Sequence, residues 1–262
     1  MSERERRVLA VIPARIGSER LPRKPLHLIA GVPLIEWVWR RVVGFDLIDS
    51  VVIATDSEEV VSTCRRFGAQ VVLTSPTHPS GTDRVVEVIS SPPFDSFDII
   101  VNIQGDEPFI GSEEVTGAIA LVASGWDVGT AAGPIGTLEA WRDPSVVKVV
   151  CRDDGGALYF SRAPIPYLRD REPTSEELAS GDFLRHVGVY AFSREALLRW
   201  VSLPPAKLEE FERLEQLRAL SAGLSIGVAP IERVEGGIDT YDDARRAEAR
   251  LLSRARGTEC QK

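Results

Sequence analysis

The sequence predicts an α/β fold in which a mostly parallel sheet carries helices on both faces. Three observations lead there. Short, continuous β-branched runs recur through the first half of the chain, segments with helical periodicity separate them, and turn-forming residues end the runs. Strands without polar alternation are buried on both faces, and ligands of such sheets sit at the strands' carboxyl ends.

VLAVI at 8–12 reads as the first strand. PLIEWVWRRVV at 33–43 reads as a helix, with Leu34, Trp37, Val38 and Val42 on one face and Pro33 suited to its first turn. VVIAT at 51–55 is the next strand, after which Asp56 or Ser57 caps a helix through SEEVVSTCRRFG that Gly68 ends. A strand at 71–73, a helix over 82–89, the strand DIIVNI at 98–103 and a helix over 112–123 continue the alternation.

After about residue 128 the rhythm changes. VVKVV (146–150) reads as a strand, and GALYFSRAPIPY (156–167) as a strand running into a proline-stiffened loop. REPTSEELASGD (171–182) is polar and reads as a mobile excursion, and HVGVYAF (186–192) alternates like a half-buried strand. A single helix is expected over 207–223, striped by Leu208, Phe211, Leu214, Leu217 and Leu220, then a strand in LSIGVAPI and a helix over 241–255. No repeat, low-complexity linker or clean boundary interrupts the chain. The expectation is one domain over 1–262 with a β-rich insertion, in portions at about 8–150, 151–235 and 236–255.

Composition narrows the function. The 262 residues suffice for a sizeable core, and 44% hydrophobic with 27% charged residues is ordinary for a globular protein. A net charge of −8 argues against nucleic-acid or anionic-membrane binding, so any positive site is local. MSERERRV has no apolar h-region of signal-peptide type behind it, so no signal peptide is expected, and no apolar run is long enough to span a membrane. Cys64, Cys151 and Cys260 are dispersed, which suits reduced thiols and a cytoplasmic setting rather than disulfides or zinc. His27, His78 and His186 share no metal-ligand spacing.

The chemistry lies in the loops. PARIGSERLPRKPL (13–26) sets Arg15, Arg20, Arg23 and Lys24 directly behind the first strand, a suitable trap for phosphate oxygens. It is no Walker loop, and G-x-G-x-x-G is absent; a solvated basic loop also accounts for it. VNIQGDEP (101–108) brings Asp106 to the same sheet edge, where a carboxylate suits Mg²⁺ or simply shapes a turn. Asp239 in GGIDTYDD is either a second such carboxylate or an N-cap, with Thr240 as competitor. Two carboxylates facing a cationic loop would form a metal-dependent phosphoryl or nucleotidyl transfer site. HPSGTDR (78–84) opens a helix with Ser80 and Gly81, whose backbone can read a base edge or serve only as a cap.

PARIGSERLPRKPL, VVIATDSEEV, HPSGTDR, VNIQGDEP, ALYFSRAPIP, FLRHVGVY, LEQLRAL and GIDTYDD, in this order and spacing, resemble the 3-deoxy-manno-octulosonate (Kdo) cytidylyltransferases, from about residue 8 to about residue 250. The resemblance implies a Rossmann-like, nucleotide-diphospho-sugar transferase fold with a β-rich dimerisation insertion, a homodimer, and conversion of CTP and Kdo into CMP-Kdo and diphosphate for lipopolysaccharide biosynthesis. It implies Arg15, Arg20 and Lys24 as a triphosphate clamp, Pro13 and Ala14 near the cytosine, and Ser80, Gly81 and Gln104 as base and nucleotide contacts. Asp106 and Asp239 match the magnesium ligands. Arg162, His186, Tyr190, Glu215 and Gln216, with Gln104, match a sugar pocket, with Arg162 the partner of the Kdo carboxylate. Arg15, Lys24, Asp106 and Asp239 are the implied catalytic group. Relatives acting on other 2-keto acid sugars share the basic first loop but are not expected to carry FLRHVGVY and LEQLRAL, and an inactive binding protein would not need both aspartates with Lys24. One departure stands out: Arg23 replaces the glycine of the family's LPGKPL. If that position takes a positive φ, Arg23 is strained; if not, it adds charge to the clamp.

Overall fold

The computed structural model describes residues 6–18 and 20–259. The chain divides into two compact units, one holding 7–96, 102–110 and the residues from 235 onward, the other holding 97–101 and 111–234 with residue 6.

The first unit opens with β1 (Val8–Pro13), whose residues from Leu9 to Ile12 are fully buried, as a strand covered on both faces requires. The chain then makes a hairpin, β2 (Leu28–Ile29) and β3 (Val32–Pro33), before α1 (Leu34–Val43). Sequence periodicity does not announce this hairpin, because its turn places Ala30 as well as Gly31 at positive φ. Pro33 therefore ends β3 and precedes α1 rather than occupying its first turn. The helix buries Leu34, Ile35, Val38 and Val42; Trp37, expected on that face, instead donates its indole N–H to the Ile29 carbonyl at 2.9 Å.

β4 (Ser50–Thr55) runs parallel to β1, with Leu9 opposite Ser50 and Pro13 opposite Ala54. Ser57, not Asp56, caps α2 (Glu58–Arg66). β5 (Gln70–Leu73) pairs in parallel with β4, and α3 (Gly81–Ile89) follows with Ser80 as its cap.

The second unit takes β6 (Ile99–Asn102) except its last residue, then α4 (Ser112–Ala123) and β7 (Val128–Pro134). β7, VGTAAGP, lacks the β-branched signature of a strand for a packing reason: a Cβ on Gly129 would strike the backbone of Ala118 in α4. Next come α5 (Leu138–Arg142), β8 (Lys148–Cys151), β9 (Ala157–Ser161), α6 (Ser175–Ala179), β10 (Leu184–Ser193), α7 (Arg194–Ser202), α8 (Lys207–Glu212), α9 (Gln216–Ser221) and β11 (Ile226–Pro230). β11 is parallel to β7, while β10 is antiparallel to β7 and β8, and β8 to β9. The pairing in this unit is therefore mixed, not all parallel.

Two expectations change here. The polar 171–182 stretch contains α6, fixed by a capping box between Thr174 and Glu177 and by Leu178, which is buried with Ile135, Trp141 and Phe183. The helix expected over 207–223 is two helices, broken at Arg213 with φ 51°. Its stripe splits accordingly, with Leu214 and Leu217 buried and Phe211 78% exposed. The break is held from outside: the Glu212 carboxylate accepts the Ser161 hydroxyl at 2.6 Å and the Arg162 N–H at 2.9 Å.

The final helix, α10 (Tyr241–Glu259), returns to the first unit. Cys64 and Cys151 are free thiols, and burial pushes them up to about 12 and about 11, while Cys260 lies outside the described residues. Among the described residues no helix is long and apolar enough to cross a membrane.

Candidate active site

The site begins where β1 runs out. Ala14 donates its N–H to the Ala54 carbonyl at 2.8 Å and accepts the Thr55 hydroxyl at 2.6 Å; Ile16 donates to the Asp56 carboxylate at 3.0 Å. The cationic loop is thus tethered at its root, and its later residues fold back through buried Leu21 into a one-turn 3-10 helix, Lys24–Leu26. The segment after β6 runs beside β1, with the Ile103 N–H on the Val11 carbonyl at 3.1 Å. At Gly105 a Cβ would stand 2.8 Å from the Pro13 carbonyl, so the approach of the two loops requires glycine.

Between these loops lies a cavity of about 750 Å³, lined by Pro13, Ala14, Arg15, Arg20, Lys24, Gln104, Asp106 and Asp239 together with Gly17, Ser18, Pro25 and Gly105. Every residue implied for the triphosphate and metal is therefore in one place. Lys24 is central: its ammonium donates to Asp106 and, at 2.8 Å, to Asp239, which also meets Arg20 at 3.0 Å. Burial alone would lower the Lys24 pKa; the two carboxylates outweigh it and raise the pKa, so the ammonium is held charged. Arg15 is exposed and makes no ion pair or hydrogen bond among the described residues.

Both aspartates present their carboxylates to the Lys24 ammonium. Gln104 and Glu107 close a turn, as a G-D segment would, yet the Asp106 side chain turns to Lys24. Thr240 caps α10 by accepting the Asp243 N–H at 3.2 Å, which leaves the Asp239 carboxylate to Lys24 and Arg20. Arg23 does adopt positive φ, 55°, and its guanidinium pairs with Glu59 rather than entering the cavity lining.

A second cavity, of about 240 Å³, adjoins the first through Pro13, Arg15 and Gln104, and adds His78, Pro79, Ser80, Gly81 and Arg84. Ser80 both caps α3, accepting the Asp83 N–H at 3.2 Å, and lines this cavity, so capping leaves it able to face a ligand there.

The implied sugar residues other than Gln104 belong to the second unit. Arg162, at the end of β9, donates to the carbonyls of Glu212 at 2.7 Å, Pro144 at 2.9 Å and Arg213 at 3.4 Å. His186 shares a 2.9 Å hydrogen bond with the Thr130 hydroxyl and packs between Phe160 and Tyr190. Burial pushes its imidazole down to about 3, so the ring is neutral. Burial, reinforced by the Glu215 carboxylate, holds the Tyr190 phenol well above its ordinary value. His186 and Tyr190 are thus neighbours, and the Glu215 charge acts on Tyr190. Gln216, expected off the leucine stripe and facing a site, is only 5% exposed at the start of α9. The second unit's own cavity, about 780 Å³ between α5 and the 163–172 loop, includes none of these residues.

Sequence reading passed over Arg84, and it saw Asp56 only as a cap. Nothing in a lone T-D or T-D-R marks either as part of a site before the loops are folded together.

Residues 9–226 match the family described as cytidylyltransferase. The chain is 54% identical over 242 residues to the 3-deoxy-manno-octulosonate cytidylyltransferase of Gemmatimonas aurantiaca, spanning 92% of each protein. The protein of the same name from Saccharophagus degradans is 44% identical over 252 residues, 94% of this chain and 98% of that one. A solved structure described as CMP:2-keto-3-deoxy-manno-octonic acid synthetase complexed with CTP matches with a TM-score of 0.86 and 37% identity, over 95% of this chain and 99% of the other. The 4-diphosphocytidyl-2C-methyl-D-erythritol synthase of Anaerococcus prevotii, at 15% identity and a TM-score of 0.59, has the same type of fold.

Proposed function

We propose the following division of labour among these residues because the chain belongs to the family of 3-deoxy-manno-octulosonate cytidylyltransferases. It is a nucleotidyltransferase that activates Kdo, converting CTP and Kdo into CMP-Kdo and diphosphate, a step of lipopolysaccharide synthesis. CTP lies with its triphosphate in the larger cavity of the first unit and its cytosine toward Pro13, Ala14, Ser80 and Gly81. The observation that carries this reading is the Lys24 ammonium joining Asp106 and Asp239 in a cavity rimmed by Arg15 and Arg20. Those three cations supply N–H donors to phosphate oxygens, with Arg15 available for bidentate contact.

Two carboxylates within reach of one ammonium, with no third acidic or imidazole ligand clustered beside them among the described residues, suit a hard cation completed by substrate phosphates. Asp106 and Asp239 would hold Mg²⁺ there. When bound, the ion supplies Lewis-acid polarisation of the phosphate. Lys24 and Arg15 stabilise charge developing on the α-phosphate and on the leaving diphosphate. Transfer is direct: the 2-hydroxyl of Kdo attacks the α-phosphorus in line, and no side chain is needed as a nucleophile. Arg162, His186, Tyr190, Glu215, Gln216 and Gln104 receive the sugar acid; the support is the family relationship and the contact of His186 with Tyr190. A cytoplasmic homodimer rests on the family relationship alone.

Diphosphate release from CTP and Kdo, with and without Mg²⁺ and beside UTP and ATP, tests the reading. It should require Kdo and Mg²⁺ and favour CTP; equal release from all three nucleotides, or none from CTP, overturns it.

A further inference from the structure

Asp56 closes β4, and Arg84 sits one turn into α3. The Asp56 carboxylate uses both oxygens, one accepting the Ile16 N–H at 3.0 Å, the other the Arg84 guanidinium at 3.1 Å. Arg84 also donates to the Thr74 hydroxyl, which itself donates to the Thr55 carbonyl at 3.0 Å, and the Thr55 hydroxyl returns to the Ala14 carbonyl. The circuit is closed, and the Arg84 side chain is only 4% exposed within it.

This circuit touches both walls of the nucleotide site. Ala14 and Ile16 flank Arg15 on the phosphate side, while α3 begins at Ser80 and Gly81, which line the smaller cavity with Arg84 and Gln104. Resting on the reading of these cavities as a CTP site, we infer that Asp56 and Arg84 are a positioning pair that locks the phosphate loop to the start of α3 and fixes the width of the cytosine cavity. Charge-assisted hydrogen bonds are directional, and one carboxylate that serves both walls transmits a shift in either wall to the other. If stability alone were required, an apolar pair of similar volume would serve as well, since a buried ion pair is often no better than its hydrophobic replacement. A fork-shaped donor aimed at Asp56 and Thr74 together is what registration of two loops requires.

The test is CTP and UTP affinity by calorimetry, without sugar, alongside thermal unfolding, for the wild type, Arg84→Lys, Asp56→Asn and the double variant Asp56→Asn/Arg84→Met. Arg84→Lys keeps the charge but reaches only one of the two acceptors. It should unfold near the wild-type temperature, bind CTP at least tenfold more weakly and lose most of its preference over UTP. Asp56→Asn should lose both stability and CTP affinity, because it strands a buried guanidinium. The double variant should regain stability without regaining CTP affinity. CTP affinity within twofold of the wild type in Arg84→Lys, or recovered together with stability in the double variant, overturns the inference. A wild type that itself prefers neither CTP nor UTP overturns the functional reading instead.

Discussion

Two sets of cationic side chains, one in each unit, are used in opposite ways. In the first, Arg15, Arg20 and Lys24 stand on a loop at a strand end and terminate on a cavity or on its carboxylates. In the second, Lys148 and Arg162 terminate on main-chain carbonyls. The Lys148 ammonium, on a side chain with 0% exposure, reaches those of Asp143, Val146 and Arg162 at 2.7–2.8 Å, and Arg162 reaches three more. Burial lowers the Lys148 pKa, whereas two carboxylates raise that of Lys24. A cation that neutralises acids in a cavity is held ready for an anionic ligand; one that is fully buried with its ammonium on three carbonyls, as Lys148 is, is structural.

Three substitutions sharpen or break that contrast. The largest effect is expected from Asp106→Asn, which keeps the side-chain shape but removes the charge facing Lys24. Turnover should fall by roughly 10²–10³-fold, with the unfolding temperature shifted by no more than about 4 °C. Near-normal diphosphate release would break the assignment of this carboxylate to chemistry. Next is Lys148→Met, which leaves three carbonyls without their donor and should cost roughly 3 kcal/mol, lowering the unfolding temperature by roughly 6–12 °C. Affinity for CTP should stay within about twofold, as for an independent site; a larger loss would mean that this lysine is not purely structural. The smallest effect belongs to Arg23→Gly. Relief of a left-handed residue, worth about 1 kcal/mol, is set against loss of an exposed ion pair worth up to about 1 kcal/mol. Unfolding temperature and CTP affinity should both remain near wild type, and weaker CTP binding would return Arg23 to the clamp.

Legibility in the sequence followed the same division. The strands of the first unit were readable because burial on both faces writes continuous β-branched runs, and VLAVI and VVIAT became β1 and β4 nearly residue for residue. The residues implied for the nucleotide line common cavities because they lie on loops at one edge of those strands. In the second unit β7 left no such trace, since contact with α4 demands small residues there, and α8 and α9 share an unbroken leucine period across a left-handed Arg213. The polar 171–182 stretch concealed α6, whose capping box, T-S-E-E, was present but had only one buried leucine beneath it.

Local physics therefore determined from sequence alone the α/β class, the placement of most strands and helices in the first unit, and a cationic loop with two candidate carboxylates at strand ends. Tertiary structure decided what those groups do to one another. Asp239 lies more than two hundred residues from Lys24, and only folding brings their side chains within 2.8 Å. It also decided that Asp56 holds a loop instead of capping a helix, and that Arg23 takes a positive φ and pairs with Glu59 outside the cavity lining. Periodicity and propensity act over a few residues, whereas ion pairs and hydrogen bonds between loops depend on distances that the packed sheet alone sets.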